Sequence, residues 1–213
     1  MRSAPTVFLV DDDADVLKAH ARILRLADFE VIAFDSPERF LEACTRQHPG
    51  CIVLDLAMPG CDGLSVQRAL AERGCTQPIV FLSGRGDVPV TVKAMKQGAL
   101  DFLTKPVDAQ ELIAAVRGAL ERDRAARAAD AQIGELRARL ATLTPREREV
   151  MQHVVSGQLN KQIAAELETM EKTIKVHRGR VMEKMGVRSL AELVRLAQRL
   201  GVEARGRRST ASV

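Results

Sequence analysis

Residues 6–13 read Thr-Val-Phe-Leu-Val-Asp-Asp-Asp. Five apolar and β-branched residues are too few for a helix, and a run without polar alternation describes a strand covered on both faces. The run stops at Asp11, Asp12 and Asp13, and a helical period follows through Val16, Leu17, Ala19, His20, Ile23, Leu24 and Leu26. The same punctuation recurs along the chain. Strands are predicted at 30–34, 51–55, 78–82 and 101–104, with helical stretches at 36–45, 63–73, 88–97 and 108 to about 121. Five strand-helix units in series specify an α/β doubly wound, five-stranded parallel sheet.

The chain has 213 residues, 46% hydrophobic and 28% charged, which fits two modest globular domains and excludes disordered and fibrous classes. No apolar run approaches membrane-spanning length and no secretory leader is legible, so a cytoplasmic protein without a membrane partner is expected. Charge is unevenly divided. Residues 1–120 hold 13 Lys and Arg against 16 Asp and Glu, whereas residues 121–213 hold 19 against 12. A basic second half suggests a polyanionic partner, although a solvated basic face would give the same count. Cys44, Cys51, Cys61 and Cys75 lack zinc-site spacing and are expected as reduced thiols, Cys61 being the one placed in a Gly-rich loop where reactivity is conceivable.

Ligands of doubly wound sheets bind beyond the carboxyl ends of the strands. There the sequence delivers Asp11 and Asp12, then Asp55, then Ser83, then Lys105. Carboxylates converging on one point repel unless a cation lies among them, and an all-oxygen donor set suits Mg²⁺. A divalent ion, a hydroxyl and a lysine around one central carboxylate point to attack by Asp55 on a phosphoryl group, with Asp11, Asp12 and Asp55 holding the metal and Lys105 and Ser83 taking phosphoryl oxygens. Any one of these residues alone would more simply be a loop residue; five in strand order reverse that balance.

The stretches Val10-Asp11-Asp12, Leu54-Asp55-Leu-Ala-Met-Pro59-Gly60-Cys-Asp-Gly63, Leu82-Ser83-Gly84 and Phe102-Leu-Thr-Lys105-Pro106 resemble the motifs of the two-component receiver domain, across about residues 5–122. The resemblance implies a flavodoxin-like fold, a phosphohistidine on a sensor histidine kinase as donor to Asp55, and a metal ligand in the Ala57 backbone carbonyl. It implies a switch formed by Ser83 and Phe102 and a cis Lys105-Pro106 bond. Residues 84–95 resemble the FixJ group, in which the surface of helix 4 and strand 5 serves phosphorylation-linked dimerisation. One departure stands out: many relatives carry Arg or Lys where this chain has Ala57. Haloacid-dehalogenase-type phosphatases, the enzyme alternative, need an acid at that same position. Ala57 offers none, so the expectation is a signalling protein and not a turnover enzyme, promoting its own phosphoryl transfer and only slow autodephosphorylation.

From Leu112 to Leu143 the chain has no Pro and is dominated by Ala, Arg, Glu and Leu, so the fifth helix is expected to run past the receiver. Ile133, Leu136, Leu140 and Leu143 fall at a/d spacing. About two heptads leave open whether this stripe dimerises or packs on its own domain. Thr144-Pro145-Arg-Glu147 then spells a capping box with Pro at the first helical position. Helices are predicted to end near Gly157, at 160–167, from 171 to 185, and from Ser189 to about 200, an all-α helix-turn-helix arrangement. On the third of these, Ile174, Val181 and Met185 form an inward stripe, and a Lys/Arg-rich face with little acid suits the major groove.

Leu143-Thr-Pro-Arg-Glu-Arg-Glu-Val150, Gly157-Gln-Leu-Asn160-Lys-Gln-Ile-Ala164, Lys172-Thr-Ile-Lys-Val-His177-Arg and Val187-Arg-Ser-Leu-Ala-Glu-Leu193 resemble the LuxR-type output domain over about residues 140–200. The resemblance implies binding to double-stranded DNA at an inverted-repeat site as a homodimer joined through the last helix, with Leu190, Val194 and Ala197 as interface candidates. Lys161, Lys172, Arg178 and Arg180 would meet phosphates or the groove edge, and Lys175 and Val176 would read bases. Relatives usually have Gly-Ile/Val-Ser between the second and third helices, where this chain has Glu168-Thr169-Met170. The Ser cap is missing; Thr169 is the substitute, or helix 3 loses on the order of 1 kcal/mol. Gly179 stands where a longer side chain is usual. The expected organisation is a receiver at 1–121, a helical linker at 122–142, a four-helix DNA-binding head at 143–200 and a disordered basic tail at 201–213. Together the two resemblances imply a response regulator of the FixJ/NarL type, controlling transcription.

Overall fold

In the computed structural model, residues 5–45, 48–60, 62–84 and 88–202 are described. Cys61, part of the 84–95 stretch and nearly all of the basic tail, with Arg205, Arg207 and Arg208, lie outside them. The chain divides into two compact units, residues 1–127 and 128–213.

The first unit alternates strand and helix: β1 (Thr6–Val10), α1 (Ala14–Leu26), β2 (Glu30–Phe34), α2 (Pro37–Ala43), β3 (Gly50–Asp55), α3 (Gly63–Glu72), β4 (Ile79–Ser83), α4 (Val88–Lys96), β5 (Asp101–Thr104) and α5 (Ala109–Ala141). All strand pairs are parallel, in the order β2-β1-β3-β4-β5. Because side chains alternate across a strand, the continuous apolar runs of β1, β3 and β4 fill two cores at once. Phe8, Val10, Ile52, Leu54 and Phe81 face one side with Phe40, Leu64, Val66 and Ala94. Val7, Leu9, Cys51, Val53, Val80 and Leu82 face the other with Ala21, Leu24, Leu112 and Val116. Helix starts are set by side chains that accept the free first-turn N–H groups: Asp13 from Asp15 and Val16, Ser36 from Arg39, Asp62 from Ser65. Two members of the expected α1 stripe depart from it: Ala19 is exposed, and Leu26, on the last turn, is 77% exposed.

Helix α5 is 33 residues long, continuing as the Pro-free composition predicts. Within the first unit, buried Asp123 accepts from the Gly50 N–H at 3.0 Å and from Arg127 Nε at 2.8 Å, tying the helix to the start of β3.

In the second unit the end of α5 is followed by α6 (Pro145–Val155), α7 (Asn160–Glu166), α8 (Glu171–Met185) and α9 (Leu190–Arg199). Of the stripe Ile133, Leu136, Leu140 and Leu143, the last belongs to the head's core and Leu140 packs against it, while Leu136 is buried and Ile133 half-buried. Lys184 Nζ donates to the Thr142 carbonyl at 3.1 Å and to Glu147 Oε2 at 2.6 Å. The Thr144–Glu147 capping box forms in both directions, at 3.2 and 2.9 Å. Val150, Met151, Ile163, Ile174, Val181 and Met185 are essentially inaccessible. No described helix is long and apolar enough to cross a membrane.

Candidate functional site

At the carboxyl edge of the sheet, β1 and β3 are neighbours whose following helices leave on opposite faces, which opens a crevice between their ends. Asp11 follows β1 and Asp55 ends β3; both are buried, whereas Asp12 is exposed. Carboxylate oxygens of Asp11, Asp12 and Asp55 all lie within 4.8 Å of one another. Lys105, just after β5, reaches across to place Nζ 2.7 Å from Asp11 Oδ2 and 2.8 Å from Asp55 Oδ1. Its peptide bond to Pro106 is cis, and its backbone N–H donates to the Ser83 carbonyl at 2.7 Å. Ser83 ends β4 and is buried beside the same crevice. Phe102, partly buried, pairs in register with Phe81 and packs on the core behind the site. Ala57, two residues past Asp55, is exposed.

Electrostatics follow from this crowding. Burial, reinforced by the charges of Asp11 and Asp12, pushes the Asp55 carboxyl above the usual carboxylate range against the opposing pull of Lys105. Burial alone would lower Lys105, yet its hydrogen bonds to Asp11 and Asp55 outweigh that and hold it above the ordinary lysine value. Two buried carboxylates share one ammonium with a third acid beside them, an arrangement that leaves room for further positive charge and offers carboxylate oxygens, as a hard divalent cation requires.

Two site residues escaped the sequence reading. Asp13 closes the acid triplet structurally: its side chain caps α1 while its N–H donates to Asp11 Oδ1 at 3.0 Å, fixing that carboxylate. Its place just before a helical period was the available signal. Gly63 permits a close approach, since a Cβ there would stand 2.7 Å from the Asp55 carbonyl oxygen and 2.9 Å from the Phe81 ring. Nothing in its local sequence announces that.

On the second unit, Lys161, Lys172, Lys175, Val176 and Arg180 are exposed, and Val176 is bare to 48%. Arg178 is partly buried and donates to Asn160 Oδ1 at 3.2 Å, bracing α8 against the start of α7. Thr169 does not cap α8; the cap position is Met170, which supplies no side-chain acceptor. Glu168 takes the Gly position of the usual pattern with φ of +49°, a left-handed conformation that costs a residue with a Cβ about 1 kcal/mol. Among the three interface candidates, Leu190 is 38% exposed and Val194 partly exposed. Ala197 is corrected: at 2% exposure it is spent on the core of its own head and offers a second copy no surface.

Comparison with known proteins places these two sites in one lineage. The family described as "Response regulator receiver domain" matches residues 7–117, and that described as "Bacterial regulatory proteins, luxR family" matches residues 141–197. Nodulation protein W of Bradyrhizobium diazoefficiens is 45% identical over 93% of this chain and 87% of its own. The transcriptional regulatory protein FixJ of the same organism is 40% identical over 92% and 96%. The solved structure of response regulator StyR, 44% identical, superposes with a TM-score of 0.83 over 92% of this chain and 100% of that one.

Proposed function

Because the chain belongs to the two-component response regulators that join a receiver domain to a LuxR-type DNA-binding domain and regulate transcription, we propose that Asp55 is its phosphoacceptor. The observation that carries this reading is the placement of one ammonium 2.7 and 2.8 Å from two buried carboxylates, with a third acid in reach. A carboxylate oxygen of Asp55 attacks phosphorus, the bond to the donor histidine of a sensor kinase breaks, and the phosphoryl group stays on Asp55 as an acyl phosphate. Lys105 turns its ammonium to a phosphoryl oxygen, and the Ser83 hydroxyl donates to another. Mg²⁺, held by Asp11, Asp12, Asp55 and the Ala57 carbonyl, would offset the charge that gathers on the phosphoryl oxygens. Ala57 brings no acid or base, so autodephosphorylation is slow.

Ser83 moving toward the phosphoryl group and the Phe102 ring following it inward form the switch, and the switched receiver favours a homodimer. Lys161, Lys172, Arg178 and Arg180 hold DNA phosphates at an inverted repeat in the cytoplasm, Lys175 and Val176 face the bases, and Leu190 and Val194 join the two heads. The functional division is a receiver at 1–121, a linker at 122–142, a head at 143–200 and a basic tail beyond. Incubation with a small phosphodonor and Mg²⁺ tests the assignment: the protein should gain one phosphoryl group by intact mass, and Asp55→Asn should gain none. Undiminished labelling of that variant would overturn it.

A further inference from the structure

At the amino edge of the sheet, opposite the carboxylates, two cysteines from separate helices meet. Cys44 follows α2 and is buried at 6% exposure; Cys75 follows α3 and is partly exposed. Both side chains pack on the same apolar core, and the Cys75 thiol lies close enough to Cys44 to perturb its ionisation. Three further hydrogen bonds hold their segments together. Arg73 Nη1 donates to the Leu41 carbonyl, and Gln77 Nε2 donates to the carbonyls of Thr45 at 2.8 Å and His48 at 3.2 Å. The chain on both sides of Cys75 is thereby tied to the segment that carries Cys44. Among the described residues no third ligand joins the pair to make a metal group. Cys75 also lines a cavity of about 270 Å³ with Gln97, Gly98 and Arg122, large enough to admit a small reagent beside that residue.

We propose that Cys44 and Cys75 form a reversible, intradomain disulfide when the protein meets a hydroperoxide. The two thiols have unequal parts. Burial first, and then the neighbouring Cys75, push the Cys44 thiol up to about 12, so Cys44 is the poorer nucleophile toward the oxidant. The Cys75 sulfur attacks the hydroperoxide, the O–O bond breaks, water or alcohol leaves, and Cys75 becomes a sulfenic acid. The Cys44 sulfur then attacks the Cys75 sulfur; the S–O bond breaks, and the departing hydroxide takes the Cys44 proton as water. The pair has lost two electrons and two protons to the peroxide, and an external dithiol reverses the step. The bridge closes a loop that carries β3 and Asp55, while its atoms lie on the edge of the sheet away from the phosphoryl site.

Treatment of the full chain with hydrogen peroxide, alkylation of the remaining thiols and peptide mapping test the proposal. A Cys44–Cys75 linked peptide, short by two hydrogens, should appear, vanish with dithiothreitol, be absent from Cys75→Ser and persist in Cys61→Ser. Full alkylation of both cysteines after treatment, Cys75 recovered only as sulfinic or sulfonic acid, or a bridge made through Cys61 would each overturn it. The wild-type map decides the matter even if a variant folds poorly.

Discussion

Lys105 Nζ stands 2.8 Å from Asp55 Oδ1, so the group that would steady an incoming phosphoryl oxygen is already held against the carboxylate that would receive it. Lys105→Ala leaves the Asp11 and Asp55 charges without that counter-ion and removes one electrostatic partner of the phosphoryl group. Labelling of Asp55 by a small phosphodonor should slow by about a hundredfold while helical content is preserved. Time-resolved intact mass measures it; an unchanged rate would place Lys105 outside the chemistry.

His20, on α1, is buried, and its Nδ1 atom has no hydrogen-bond partner. Burial holds its pKa below the ordinary 6.5; the charge of Lys105 adds to this, while Asp11 and Asp55 oppose it. Above that value the ring is neutral folded and unfolded, and the group costs nothing. As pH falls through 6.5 the unfolded chain takes up a proton that the folded state refuses, so stability drops, by at most about 1.4 kcal/mol per pH unit, until the folded ring itself protonates. Urea unfolding of wild type and His20→Gln followed by circular dichroism should show the acid-side loss lessened in the variant. The protein has neither Trp nor Tyr, which excludes their fluorescence as a probe.

Glu168 and Met170 each occupy a position whose geometry favours another residue: a left-handed φ of +49° and a helix cap without an acceptor. Glu168→Gly should stabilise the head by about 1 kcal/mol through relief of the Cβ strain. Met170→Ser should add about 1 kcal/mol by accepting a first-turn N–H of α8. Slower amide hydrogen exchange along α8 reports both gains; faster exchange in either variant contradicts its rationale.

Lys175 is exposed on α8, whereas Arg178 is engaged with Asn160. Lys175→Ala should therefore weaken binding at a specific site by about 1–3 kcal/mol and leave random DNA little affected. Arg178→Ala should weaken both alike, because it would remove the proposed phosphate contact and loosen α8 on α7. Equilibrium titrations on specific and random duplexes at two salt concentrations separate the two patterns.

The strand and helix pattern, the parallel sheet and the converging residues Asp11, Asp12, Asp55, Ser83 and Lys105 were all readable in the chain. Continuous apolar runs have one stable use in a doubly wound sheet, and the residue after each run must then stand at the carboxyl edge. The Thr144 cap was equally local, since a hydroxyl satisfies an N–H group three residues away.

Contacts between distant segments were decided by packing alone. Periodicity gives Leu140 and Leu143 an apolar face but not the surface that covers it, and only the folded head shows that it is their own core. For the same reason Ala197 reads as an interface candidate and proves buried, and the bond from Arg178 to Asn160 has no local signal. The meeting of Cys44 with Cys75, and the space at Gly63 that lets α3 approach Asp55, depend on where separate elements come to rest. Sequence dictates the preferences that act within a turn or a strand. Long-range neighbours are chosen by the single close-packed arrangement that buries all those faces together.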